Sequence, residues 1–204
     1  MISVRLLLKC IVQLYYKVFH RVSVRGLEKL PFCDPYIVAS NHISTHDPIL
    51  LAAFLNHNIK FMAKEELFRV PVVRSIVKRL DAFPVHRNGI GIGAIRHAIR
   101  LLNMGQTVGI FPEGTRNRDE RQIPYKPGVG FIATRSNRAV IVPVAICAQQ
   151  RGFFRPIHVV VGDPITPLDS DYRLLTEHVM KAINGLKNSE FTSTRYVIGQ
   201  ESIE

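Results

Sequence analysis

A change of hydrophobic period after Gly26 constrains this chain more than any other feature. From there on, short apolar runs of strand length alternate with longer segments of helical pattern. The runs Tyr36 to Ala39, Lys60 to Ala63, Ala82 to Val85, Thr107 to Phe111, Val140 to Ile146 and His158 to Val161 read as strands. Pro48 to Leu55, Val72 to Leu80, Ile92 to Asn103, Val129 to Ser136 and Tyr172 to Leu186 read as helices, the last preceded by Asp169 and Ser170 as candidate caps. Strand–helix alternation of this kind specifies an α/β domain with a mixed, largely parallel central sheet flanked by helices. The 204 residues, 47% of them hydrophobic, fit one such domain and contain no repeat or low-complexity tract.

The first twenty residues follow another rule. Arg5, Lys9, Gln13 and Lys17 recur every four positions beside a broad apolar arc, the pattern of an amphipathic helix. Six Lys or Arg against the single acid Glu28 in the first thirty residues suit a helix lying in a lipid interface, and its apolar arc is wider than one packing face needs. The alternative is a helix packed on the domain. The expected organisation is therefore a membrane-association helix at residues 1–25, a catalytic domain at 26–187 and a polar tail at 188–204.

Lys and Arg outnumber Asp and Glu by 27 to 16, a net charge of +11 that favours an anionic partner, either nucleic acid or an anionic membrane surface. Trp is absent, aromatics are sparse among the basic residues, and no helix-turn-helix or RNA-binding signature occurs, so nucleic acid is not expected. Cys10, Cys33 and Cys147 are an odd count without CxxC spacing, which argues against a disulfide framework or structural zinc and for a reducing cytoplasmic setting. No run approaches the ~20 apolar residues of a spanning helix, and the expected location is peripheral or monotopic on the cytoplasmic side of a membrane.

Two segments can carry chemistry. SNHISTHDPILL leaves a strand and opens a helix, which puts His42 and Asp47 on a strand-to-helix loop. An imidazole accepts a hydroxyl proton near neutral pH, and a carboxylate beside it fixes its tautomer and stabilises the imidazolium. Asp47 followed by Pro48 is equally a helix cap with proline in the first turn. A metal site at His42, His46 and Asp47 lacks further ligands, and a Ser44–His46 esterase lacks a GxSxG elbow. The second segment, TVGIFPEGTR, runs from a strand into a Pro–Gly turn. Gly114 admits backbone N–H groups to an anion, Thr115 adds a hydroxyl, and Arg116 grips a phosphate bidentately. Alone, it is also an ordinary surface turn.

Together, NHISTHD and FPEGTR resemble the glycerophospholipid acyltransferase family, specifically 1-acylglycerol-3-phosphate O-acyltransferases. FMAKEELFRVPVV, LDAFPVHR, YKPGVGFIA and IVPVAI resemble its other blocks, so that the likeness runs from about Ser40 to Ile146. The resemblance implies that His42 is the base on the acceptor hydroxyl and Asp47 its support. It assigns Gly114, Thr115 and Arg116 to the acceptor phosphate, Glu113 to the glycerol or the loop, Arg87 to a second positive charge, Lys126 and Gly128 to assistance, and Pro143 to packing. It implies acyl-CoA or acyl carrier protein as cosubstrate, no metal or other cofactor, and a lysophosphatidate-like lipid as acceptor. Asp81, where many relatives carry Gly, and His86, where many carry an acid, leave another lysophospholipid or a lyso-aminolipid as alternative acceptors.

Overall fold

The computed structural model describes residues 4–32, 35–55, 58–64, 69, 83–85, 92–117, 124–137, 139–148, 156–168 and 171–200. In chain order its elements are α1 (Val4–His20), β1 (Val22–Arg25), β2 (Tyr36–Ser40), α2 (Asp47–Phe54), β3 (Lys60–Lys64), β4 (Phe83–Val85), α3 (Ile92–Asn103), β5 (Val108–Ile110), α4 (Gly128–Arg135), β6 (Val140–Ala148), β7 (Ile157–Val161) and α5 (Tyr172–Gln200). The strands form one sheet in the order β1–β7–β6–β2–β5–β3–β4. Every pairing is parallel except β6 with β7. This is the expected mixed, largely parallel α/β architecture.

β2 shows why the sheet buries itself. All five of its residues are buried. Tyr36 and Val38 point into a cluster with Leu50, Leu51 and Val144 on the α1–α2 side, while Ile37 and Ala39 point into one with Val129, Ile132, Val179 and Ile183 on the α3–α4–α5 side. A strand covered on both faces has no polar alternation to display, hence its continuous apolar run.

The chain departs from the sequence reading at its ends. Val22–Arg25 is an edge strand pairing with β7, so the sheet begins before residue 25, and the N-terminal helix stops at His20. The four residues VSVR are too short for a pattern to declare them a strand. At the other end α5 continues beyond Leu186 to Gln200. Its polar stretch is tied down at Glu190, 5% exposed, which meets Arg25 Nη1 at 3.1 Å and His158 Nδ1 at 3.3 Å. The expected helix at Val72 to Leu80 lies outside the described residues.

Helix α1 has two apolar faces. Tyr16 packs edge-on to Phe54 of α2 at 5.5 to 6.1 Å from its aromatic neighbours there and at His20, and Gln13 Nε2 donates to the Ala53 carbonyl at 2.7 Å. Turned away from α2, Leu7, Ile11, Leu14, Tyr15, Val18 and Phe19 are each about half exposed. No helix among the described residues is long and apolar enough to cross a membrane.

Candidate active site

Strands β2 and β5 are parallel neighbours, so both release their chains at the same edge of the sheet. The segment after β2 continues into α2 on one face, and the segment after β5 continues into α4 on the other. Connections that part to opposite faces leave a crevice between the strand ends, the usual ligand position in an open α/β sheet. His42 and Glu113 stand at that crevice.

The exit from β2 is fixed by a buried amide. Asn41 Nδ2 donates to the Ile146 carbonyl at 2.9 Å, and its Oδ1 accepts from Ile146 N–H at 2.7 Å. The side chain thereby imitates one more residue of strand pairing with β6. His42 follows at once. Its Nδ1 lies 2.8 Å from Asp47 Oδ2, and the same oxygen accepts from the N–H groups of Ile43 and Ser44, both at 2.7 Å. Asp47 is 2% exposed. Three donors converge on this one carboxylate oxygen and hold the loop in one shape.

This geometry separates the two sequence readings of Asp47. It is the first residue of α2 with His46 as N-cap, and the His46 side chain makes no cap hydrogen bond. The carboxylate turns back to the His42 loop instead. With Nδ1 donating to Asp47, Nε2 carries the lone pair, the tautomer a base requires. His46 is exposed, and among the described residues no three His, Cys, Asp or Glu side chains gather as a metal site would need.

The loop after β5 is joined to the first. Asn117 N–H donates to the His42 carbonyl at 2.7 Å, and His42 N–H donates to the Glu113 carboxylate. Glu113 is 8% exposed, and its Oε2 is buried without a hydrogen-bond partner among the described residues. Burial pushes this carboxyl above its ordinary value, opposed by the His42 N–H and by the charges of Lys187 and His42. Gly114 has φ +64°, where a side chain would be strained, and the Lys126 side chain lies across it, 3.2 Å from where a Cβ would stand. Lys126 N–H donates to the Pro112 carbonyl at 2.8 Å, which returns the chain to the turn before Gly128 opens α4. Thr115 and Arg116 are exposed. Arg87, like Asp81 and His86, lies outside the described residues.

Two contacts were not among the sequence expectations. Phe111 stacks on the His42 ring, centroids 4.2 Å apart and planes 19° apart. Lys187, from α5 and outside every motif, acts electrostatically on Glu113.

A family model described as Acyltransferase matches residues 21–147. The 1-acyl-sn-glycerol-3-phosphate acyltransferase of Bacillus subtilis (strain 168) is 34% identical over 179 residues, which is 82% of this chain and 88% of that one. The protein of that name from Borreliella burgdorferi is 29% identical over 67% of this chain and 55% of its own. The crystal structure of the 1-acyl-sn-glycerophosphate acyltransferase PlsC from Thermotoga maritima superposes with a TM-score of 0.76 at 27% identity, over 92% of this chain and 80% of that one. An α/β enzyme that transfers acyl groups is the class that fold and relatives define. The chain belongs to the acyltransferase family, in the group of its 1-acylglycerol-3-phosphate O-acyltransferase relatives.

Proposed function

We propose that this enzyme moves a fatty acyl group from a thioester donor, acyl-CoA or acyl carrier protein, to the sn-2 hydroxyl of 1-acylglycerol-3-phosphate, forming phosphatidic acid for phospholipid biosynthesis. The observation that carries this reading is the His42–Asp47 contact of 2.8 Å at the edge of the sheet, hydrogen-bonded to the turn that holds Gly114 and Arg116. His42 Nε2 takes the hydroxyl proton as the oxygen attacks the thioester carbonyl. The new C–O bond gives a tetrahedral intermediate, whose collapse breaks the C–S bond. The departing thiolate recovers the proton from the imidazolium, so no acyl-enzyme and no cofactor are required.

Gly114, Thr115 and Arg116 receive the acceptor phosphate, with Lys126 beside Gly114 and Arg87 as further positive charges. Glu113, buried and hydrogen-bonded to the His42 N–H, supports the loop beside the glycerol site, and Gly128 opens α4 next to Lys126. The half-exposed apolar stripe of α1 supports a peripheral or monotopic position on an anionic membrane, because among the described residues the helix packs on α2 through Tyr16 and leaves that stripe half exposed; the reading places it on the cytoplasmic side. On this reading the first unit is the membrane helix, the second the acyltransferase domain, and the polar C-terminal residues lie beyond the site.

The test is acyl transfer by the purified full chain, with labelled acyl-CoA or acyl carrier protein and a panel of lyso-acceptors. His42→Ala is expected to abolish transfer while the protein stays folded. Full turnover in that variant, or equal use of acceptors without a phosphate, would overturn the assignment.

A further inference from the structure

Along β5 the side chains alternate between the two faces of the sheet. Val108 and Ile110 enter the α3–α4–α5 core, whereas Phe111 packs on the α1–α2 side. Gly109, of the same parity as Phe111, leaves a gap on that side. Its partner in register on β3 is Phe61, and the Phe61 ring occupies the gap so closely that a Cβ on Gly109 would clash with it. From that seat Phe61 stacks on Phe111, centroids 5.7 Å apart and planes 19° apart. Phe111 in turn stacks on His42 at 4.2 Å, again with planes 19° apart. An empty position on one strand thus aligns two rings from neighbouring strands against the imidazole.

We propose that Phe111 is a positioning residue for acyl transfer: its ring face fixes the His42 imidazole and stabilises the imidazolium formed during proton transfer, with Phe61, seated over Gly109, as its backing. The proposal rests on the reading of His42 as base. Asp47 holds the imidazole at one edge through Nδ1, a single contact that does not by itself fix the tilt of the ring plane. A ring 4.2 Å away and nearly parallel closes this freedom. The negative face of the aromatic quadrupole attracts a cation in the same place.

The charged and titratable groups around His42 act together with the ring. Asp47 of α2 lies at Nδ1, and Tyr16 of α1, pushed up to about 12 by its burial, is close enough to sense Asp47. Glu113 of the loop after β5 receives the His42 N–H, and Lys187 of α5 acts on Glu113. Phe111 differs from all of these in carrying no charge. As an apolar wall it would disfavour the imidazolium by excluding water, and as a π-face it favours it. The two effects have opposite signs, so a pH profile tells them apart.

The experiment compares the full-length wild type with Phe111→Leu and Phe111→Tyr, using labelled acyl thioester and lysophosphatidate over a range of about pH 5 to 9. Phe111→Leu is expected to lower the kcat plateau ~3–30-fold. The acidic limb of its kcat/KM profile is expected to move down by about half a pH unit or more, because a base with a less stabilised cation protonates later. Phe111→Tyr, which keeps the ring, restores both. A limb that stays in place or moves up, or an unchanged plateau, would overturn the proposal. Should Phe111→Leu melt too low to assay, Phe61→Leu removes only the backing ring and is expected to shift the profile the same way by less. The upfield ring-current shift of His42 Hε1 by NMR then reads the stack without any assay, and its absence in the wild type also overturns the proposal. His42→Ala distinguishes the two claims. If it retains turnover, the base reading falls and the stack proposal with it; if it is inactive while Phe111→Leu behaves as wild type, only the stack proposal falls.

Discussion

The two loops at the crevice are built in opposite ways. After β2, Asn41 and Asp47 are both 2% exposed, and each spends its side chain on backbone groups or on the His42 ring. After β5, Pro112 and the charged Glu113 are buried, while Gly114, Thr115 and Arg116 stand exposed on a turn that bends through a left-handed glycine. A base must be held to a fraction of an ångström to be useful. A phosphate cradle needs donors and charge that stay hydrated until the ligand arrives, so exposure suits the role proposed for the second loop. On the proposed function, the contrast is between a group fixed before binding and groups ordered by it.

The strongest way to break this comparison is through Asp47. Asp47→Asn preserves an oxygen for the Ile43 and Ser44 N–H groups, so the loop should keep its shape. The amide cannot stabilise an imidazolium, and its N–H2 invites the wrong imidazole tautomer. A fall in kcat of ~10²–10⁴-fold is expected, with little change in melting temperature. If activity and melting temperature fell together, Asp47 would be a structural clasp and the first loop would lose its functional distinction.

Arg116→Ala probes the other loop, and a smaller effect is expected. One charge-assisted contact to phosphate is worth about 1.5–3 kcal/mol, so kcat/KM should drop ~10–10²-fold for a phosphate-bearing lyso-acceptor. With an exposed residue removed, the melting temperature should stay put. Equal losses for acceptors with and without phosphate would show that Arg116 shapes the loop rather than reading the ligand.

How far each loop could be read from sequence follows from the distance over which its contacts run. The α/β architecture was legible because the apolar runs of β2 and β6 and the helical pattern of α3 are local properties of consecutive residues. Strand β1 was not, because Val22–Arg25 is defined by its pairing with β7, more than a hundred residues later. The end of α5 escaped for a similar reason: the polar residues after Lys187 stay helical where Arg25 and His158 reach Glu190. Within the site, His42 and Asp47 could be named from residue types, but Asp–Pro at a helix start reads equally as a cap. Only the direction of the carboxylate separates the two. Phe111 lay in plain view inside FPEGTR, yet its contact with His42 depends on the absence of a side chain at Gly109 and on a ring from β3. Lys187 carries no pattern that marks it, and Phe61 opens FMAKEELFRVPVV without any local sign that it backs Phe111, since that contact depends on the register of β3 with β5.

Glu113 is the exception that sharpens the comparison, being a buried carboxylate beside the exposed turn. Burial raises its pKa above the ordinary 4.5, the His42 N–H and the Lys187 and His42 charges oppose that rise, and the Asp47 charge adds to it. An acid whose folded value lies above its unfolded one binds more protons folded than unfolded between the two. Its contribution to stability is therefore whole below the ordinary carboxylate range and is lost as pH rises through the raised value. Glu113→Gln keeps an acceptor for the His42 N–H and has no proton to lose. It should melt higher than wild type at about pH 8 and level with it at about pH 4, a gap that opens with rising pH. The measurement is thermal unfolding of both proteins across that range. A gap of constant size would mean that Glu113 acts through shape alone, and the second loop would then hold no buried charge for its exposed cations to offset.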